Sequence, residues 1–421
     1  MKLKQIYAAL DIGSYEVKLI VGEFHNTRFN VIRVERVPCS GISKYMIVDK
    51  EAVRQSLITA LKNVNDLLQV QIERVILSIP ACDFERHSQR ITVPITGVDG
   101  CIDARDIQEA IAKAQSAPLP RHLEIVNAIP IKYCVDGMTT RRIPIGEKCS
   151  RLEVSVDLLC VNKQIVYDYV RVAESAGLEI LEIFAQPFAD AKEAAILEQS
   201  VESHIVYMNI GYQSSTLTLF AAGRLSECLI LPWGTRDIDD AITKKFGVSL
   251  ESASRIRQYG CHLIKDRVKD TPVHIYGKEN DKQSISEREL FTIMSSIIER
   301  WMYSIQETCG ELLNEKNVRV VFGGGGAEIF ELDEFAKELL NVDASCYVPE
   351  TMGARSGGLI TTLGLFYAYK DALEYLQDDR ISVDLPKYAQ HLMPKKAVEE
   401  EGFTGRLKGL LFNENKEKNK E

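Results

Sequence analysis

Residues 207–220 read YMNIGYQSSTLTLF, and residues 9–22 read ALDIGSYEVKLIVG. Each runs an apolar strand into Asp/Asn-Ile-Gly, turns through polar residues and leaves as an alternating strand, the period of two expected of a half-buried hairpin. The first unit carries Asp11 where the second carries Asn209. With those residues aligned, Val17, Leu19 and Val21 fall on Ser215, Leu217 and Leu219, the turn FHNT on AAGR, and FNVIRV on LSECLIL. Two such units about half a chain apart predict two similar α/β halves facing each other across a cleft. The shared tripeptide is short, and taken alone it fits two unrelated hairpins equally well.

The flanks follow the same rhythm. Residues 6–13, 16–24 and 29–37 alternate as strands, and 51–69 places Val53, Leu57, Leu61, Val64 and Leu68 at helical spacing. RVILSIP (74–80) reads as a buried strand, so strands, helix and strand build a layered α/β unit. Residues 81–160 differ, with short strand-like runs (RITVPI, EIVNAIPIKY, LEVSVDLLCV) and one helix at 103–115, which predicts a small inserted subdomain. The helix KQIVYDYVRVAESAG then ends at Gly177, a plausible C-cap, before a strand and helix in LEILEIFAQPFADAKEAAILE. Further on, VRVVFGGGGAEIFELDEFAKELL predicts a strand, the four glycines 323–326 and an amphipathic helix, with a ligand approaching at the switch from strand to helix.

Composition narrows the function. The chain has 421 residues, 45% hydrophobic and 26% charged, enough for two or more domains with large cores. A net charge of −9 without a basic stripe argues against nucleic acid as a partner. Ten scattered cysteines with no CxxC pair fit a reducing cytosol with free thiols. The opening MKLKQIYAALDIG turns polar too soon for a signal peptide, and no apolar run approaches the roughly 20 residues that span a bilayer.

A nucleotide in such a cleft needs tight Gly/Ser turns whose N–H groups reach its phosphates, a cation to neutralise them, and a carboxylate that holds magnesium through water. DIGSYEVK supplies Asp11, Gly13, Ser14 and Lys18 in that order, with Lys18 on the same strand face as Glu16. As an isolated motif this is weak, since a lone hairpin of that kind is more often just a turn.

In order along the chain, the two hairpins and the glycine run resemble the phosphate-1, phosphate-2 and adenosine loops of the actin-like ATPase superfamily. Within it the chain is similar to the FtsA family of bacterial cell division. The resemblance spans nearly the whole length, including the insert after VILSIP, ILPWGTRDIDDAITKKFGVSLESASRIRQYG (230–260) and ARSGGLITTLGLFYA (354–368). It implies an α/β, actin-like two-domain fold with a nucleotide cleft and a small inserted subdomain in the first half. The implied segments are 1–80 with 161–196, the insert at 81–160, 197–240 with 311–385, an outer subdomain at 241–310, a linker at 386–401, and an amphipathic helix with a polar tail at 402–421. It implies ATP with Mg2+ as cofactor, bound by Asp11, Gly13, Ser14, Lys18, Gly211, Ser214, Ser215, Gly234, Arg257, Gly323, Gly324, Gly325 and Gly326. Self-assembly into filaments, contact with FtsZ through the outer subdomain, other divisome proteins, and a place on the cytoplasmic face of the cell membrane at the division site are implied as well.

The chain departs from the family where it matters. The family's second loop usually reads Asp-Ile-Gly-Gly-Gly before Ser or Thr, whereas here Asn209, Ile210, Gly211, Tyr212, Gln213 and Ser214 occupy those places. An amide contributes no charge and accepts no proton, so Asp11 is the metal candidate, through water, and Asn209 a poor one. Ser254 and Arg257 stand where the family commonly has Glu and Lys. These changes predict nucleotide binding with at most weak ATPase turnover. Near the end, GFTGRLKGLLF spaces Phe403, Leu407, Leu410 and Leu411, with Phe412 next, along one helical face, with Arg406 and Lys408 toward the other. Burying four such side chains contributes at most roughly 6–12 kcal/mol. Ordering about ten residues offsets most of that, so one foot binds a membrane weakly and many on a polymer bind firmly. Two alternatives remain: a nucleotide-independent membrane scaffold, and a small-molecule kinase of the same superfamily.

Overall fold

The computed structural model describes residues 5–25, 28–95, 99–277 and 282–383. The linker, the tail and the membrane-binding candidates Phe403, Arg406, Leu407, Lys408, Leu410, Leu411 and Phe412 lie outside these residues.

Two five-stranded sheets organise the molecule. In the first, the strands run in the order Glu179–Ala185, Arg74–Ile79, Gln5–Ile12, Glu16–His25 and Arg28–Pro38. In the second, the order Asp343–Cys346, Val318–Gly323, His204–Ile210, Ser215–Ala221 and Arg224–Leu231 repeats it strand for strand. Each sheet has an antiparallel meander on one side and parallel strands on the other. The registers repeat as well. Asp11 lies opposite Lys18 in the first hairpin, and Asn209 opposite Thr216 in the second. The repeat read from two short stretches of sequence is therefore a repeat of topology.

Parallel strands need crossovers, and helices supply them. Lys50–Leu68 buries Val53, Leu57, Leu61 and Val64 on one stripe, with Asp49 capping its N-terminus. Two central helices, Gln186–Glu193 and Ile360–Leu376, cross at Ala189 and Gly364, so closely that a side chain at Gly364 would collide with the Ala189 carbonyl. Only glycine permits that crossing.

Residues 85–162 leave this scheme. The strands Glu85–Pro94, Arg151–Asn162, Leu123–Val135 and Met138–Thr140 form a separate antiparallel sheet backed by the helix Ala104–Gln115, with its own core around Val93, Ile107, Leu152 and Val154. In the second half, the helices Thr235–Phe246, Leu250–Tyr259 and Glu287–Cys309 share a core in which the Trp233 and Trp301 rings stack 5.0 Å apart.

The glycine run differs from its expected form. The strand ends at Gly323, but a single 3-10 turn, Gly325–Glu328, intervenes, and the helix starts only at Leu332. Glu331 causes the delay. It sits in the left-handed region (φ 61°), and its carboxylate accepts from the N–H groups of Leu263 and Ile264 while pairing with Arg267 at 2.7 Å. The glycines thus form a turn ahead of the helix instead of its N-terminus. All ten cysteines are free thiols. Among the described residues, no helix is long and apolar enough to cross a membrane.

Candidate functional site

Both hairpin turns and the glycine turn sit at the ends of central strands, and they meet around a cavity of about 520 Å³ between the two sheets. This is within the range of small-molecule sites. Asp11, Gly13, Ser14, Lys18, Gly211, Ser214, Arg257, Gly324, Gly325 and Gly326 line it.

Ser215, Gly234 and Gly323 stand behind the wall. The Ser215 hydroxyl is buried and donates to the Trp233 carbonyl at 2.9 Å. At Gly234 any side chain would strike the carbonyls of Gly211 and Tyr212, and at Gly323 it would strike the Tyr207 hydroxyl. These glycines let the second hairpin turn and the glycine strand pack tightly, which shapes the wall from the rear.

Lys18 and Asp11 form an ion pair at 2.9 Å, and Arg36 grips both carboxylate oxygens of Glu16. Burial works against the Lys18 ammonium, but the Asp11 and Glu16 carboxylates outweigh it and raise its pKa. Arg257 is almost fully buried and tied to Asp239 at 2.7 Å, with a further bond to Ser254 at 3.1 Å. Its guanidinium is held in the wall by an internal partner, so it acts there as a fixed charge. Among the described residues, five cationic side chains and three carboxylates line the cavity, and with Arg257 matched by Asp239 behind the wall the excess cation is Lys44. That surplus of positive charge, in a chain of net charge −9, suits an anion.

The base of the cleft carries the clearest departure. Asn209 Nδ2 donates to Asp190 Oδ2 at 2.6 Å, and Thr361 donates to Asp190 Oδ1 at 2.6 Å. Burial pushes the Asp190 carboxyl up to about 6. A carboxylate therefore does stand at this level, one residue behind the position where the second loop has lost its own. Because Asn209 donates its amide nitrogen, its carbonyl oxygen is the end left for the glycine turn, and a side chain at Gly324 would collide with it.

Sequence reading missed Gln186, Arg36, Lys44, Glu251, Arg255 and Thr361, all on the wall. Gln186 Oε1 accepts from Thr216 at 3.2 Å and its Nε2 donates to Asp190 at 3.3 Å. Its place directly after the strand Glu179–Ala185 was the available signal. Arg36 lies across from Lys18 in the sheet, which shows only once the third strand's register is known.

For magnesium the fit is partial. Among the described residues, no three His, Cys, Asp or Glu side chains cluster as a metal cage. Of the wall's carboxylates, Glu16 is held by Arg36 and Glu251 by Arg255 at 2.7 Å, while Asp11 uses one oxygen for Lys18. Asp11, with its second carboxylate oxygen, is the residue that would hold a magnesium ion, through water, and the ion would supply positive charge there.

Two facing α/β halves with a shared topology, a central cleft and an inserted subdomain define an actin-like two-domain protein. Solved structures agree: the PilM–PilN type IV pilus biogenesis complex matches with a TM-score of 0.55 at 14% identity, covering 85% of this chain and 97% of that one. MreB5 of Spiroplasma citri bound to ADP matches with a TM-score of 0.54 at 12% identity, covering 89% and 99%. At these identities the likeness is one of fold.

Family and relatives narrow the class. A model of the SHS2 domain inserted in FtsA matches residues 83–160, and one of the cell division protein FtsA matches residues 206–364, together more than half of the chain. FtsA of Bacillus subtilis (strain 168) is 26% identical over 394 residues, 92% of this chain and 89% of its own length. FtsA of Staphylococcus epidermidis is 23% identical over 382 residues, 88% and 81%. The chain belongs to the FtsA family of cell-division proteins.

Proposed function

We infer that this chain binds ATP in the central cleft, assembles with copies of itself, and holds FtsZ at the inner face of the cytoplasmic membrane during septum formation. One observation carries the nucleotide part: two Gly/Ser hairpin turns and a glycine turn converge on one cavity with a surplus of cationic side chains. Backbone N–H groups at such turns bind phosphates, and among the described residues nothing stands within 4 Å of where a side chain at Gly325 would go. The fold neighbour MreB5, solved with ADP, supports the same reading. Family membership supports the division role, with the outer segment 241–310 as the FtsZ surface and the amphipathic stretch at 402–412 as the membrane foot.

Turnover is slow in this reading. Asn209 brings neither charge nor a proton acceptor, and the Gln186 amide is engaged at both its nitrogen and its oxygen. The observation favouring a nucleotide-free scaffold is the altered second loop itself, with Tyr212 and Gln213 in place of glycines.

A thermal melt with millimolar Mg-ATP separates the two. Binding at 100 times the dissociation constant stabilises by about 2.7 kcal/mol, which raises the midpoint by a few degrees. An unchanged midpoint favours the scaffold. Phosphate release near background is expected; rates approaching the roughly 1–100 s⁻¹ of kinases would contradict slow turnover. For the membrane part, Leu407→Glu is expected to release the full chain from anionic liposomes, and unchanged co-sedimentation would refute the foot.

A further inference from the structure

Tyr212 and Gln213 break the family's glycine pattern, and both reach across to the first half of the molecule. The Tyr212 ring packs on that of Tyr15, with centroids 4.7 Å apart and a tilt of 60°, a favourable aromatic geometry. The Gln213 N–H donates to Ser14 Oγ at 3.3 Å, and the Lys44 N–H donates to Gln213 Oε1 at 2.9 Å. Tyr15 and Ser14 belong to the turn of the first hairpin. Lys44 belongs to the turn between the short strands Ile42–Ser43 and Met46–Ile47, where it is held at φ 59°.

On its own side Tyr212 is rigidly placed. Its carbonyl accepts from the Arg236 N–H at 2.8 Å, the Arg236 guanidinium lies 5.8 Å from its ring centre, and Gly234 packs directly beneath. The two turns that a nucleotide's outer phosphates would draw together are thus joined by the protein's own contacts, a ring pair and two hydrogen bonds. The Gln213 N–H, a donor such a phosphate would need, is committed to Ser14.

A ligand shifts a conformational equilibrium only by its differential affinity for the two states. Where the shut state prevails without ligand, the terminal phosphate has little closure left to drive. We propose that Tyr212 and Gln213 determine specificity by clasping the two halves shut without ligand, so that the cleft takes nucleoside diphosphates and triphosphates alike. The nucleotide half of this inference rests on the proposed function; the clasp does not.

Hydrogen exchange on the ligand-free full chain tests the clasp, read at residues 13–18 of the hairpin opposite the substitutions. In Y212G/Q213G these amides are expected to exchange at least about fivefold faster than in the wild type. Tyr15→Ala is expected to loosen residues 210–215 in the same way, and Tyr15→Phe, which keeps the ring pair, is not. Nucleotide titrations of the same proteins form the second arm. Wild-type affinities for Mg-ATP and Mg-ADP are expected within about threefold of each other, and Y212G/Q213G is expected to prefer ATP by tenfold or more. Unchanged exchange at 13–18, or a tenfold ATP preference in the wild type, overturns the proposal. If neither nucleotide binds either protein, the nucleotide reading falls, and the exchange arm alone decides the clasp: faster exchange in the variant upholds it and equal exchange overturns it.

Discussion

Asn209 and Asp190 share one hydrogen bond of 2.6 Å in a buried setting, and that bond limits what either residue can become. Restoring the family's aspartate as Asn209→Asp would set two carboxyl groups at that distance, and like charges so close do not both ionise. The folded variant must hold an extra proton, so its stability falls as pH rises, by up to about 1.4 kcal/mol per pH unit. Urea melts are expected to show Asn209→Asp losing about 2–4 kcal/mol at pH 8 relative to the wild type, with less loss at pH 5. Adding Asp190→Asn restores one acid and one amide, and with them most of the stability. A second buried acid gives a pH dependence of its own. Burial pushes the Glu193 carboxyl up from 4.5 to about 7, against a bond from the Tyr347 hydroxyl, and among the described residues its Oε2 has no hydrogen-bond partner. A raised pKa favours the protonated fold, so this contribution is complete below about 4.5 and lost as pH rises through 7, at most about 3 kcal/mol. Glu193→Gln is expected to melt higher than the wild type at pH 8 and to flatten the profile from pH 5 to 8. Equal slopes would show that Glu193 titrates normally.

The glycine turn shows how four identical letters divide their work within one element. A side chain at Gly323 would strike Tyr207, and one at Gly326 would strike Ile210, so those two serve packing. Gly324 needs its positive φ of 77° and lies against Asn209. Of the four, Gly325 alone has open space among the described residues where a side chain would go, on the wall of the cleft. Gly325→Leu is therefore expected to leave the ligand-free melting midpoint within about a degree while abolishing the shift produced by Mg-ATP, because an exposed site of ordinary φ tolerates substitution. A large loss of basal stability would contradict the open space at this residue. The neighbouring elements were legible in the sequence because their signals are local. Helical spacing at Val53, Leu57, Leu61 and Val64 marks the buried stripe found in Lys50–Leu68. The 3-10 turn before Leu332 was not legible, since the Glu331 carboxylate that holds it bonds to Leu263, Ile264 and Arg267, more than 60 residues earlier.

Across the whole molecule, the insert is fastened to the second half as well as the first. Arg224, beside the second sheet's outer turn, pairs with the buried Asp157 of the insert through its Nε at 2.7 Å and also bonds Ser88. Arg86 and Arg141 of the insert donate back to the carbonyls of Leu225 and Ala222. Removing one partner of a buried pair leaves an uncompensated charge. Arg224→Ala is expected to cost about 2–4 kcal/mol, somewhat below a fully buried pair because Arg224 is partly exposed, and to speed proteolysis within the insert. Insert cleavage at the wild-type rate would mean that the contact holds nothing in place.

Periodicity and turn chemistry act over a few residues, so the regular strands and helices were legible in the amino-acid sequence, whereas the doubled α/β plan rested on the order of three loops along the chain and on the family resemblance. The sequence also marked Asp11, Ser14, Lys18 and the glycine run as ligand candidates, since they gather at or beside the turns that end strands. Which of them face the cleft follows from how the two halves pack. Ser215 and Gly323 turned out to stand behind it, and Arg257 is held by Asp239 within the same helical layer. Tertiary structure also paired Asn209 with Asp190, and Tyr212 and Gln213 with the opposite hairpin. Those pairings join residues that are distant in the chain or belong to different halves. No local pattern encodes them, because they exist only where the two halves pack against each other.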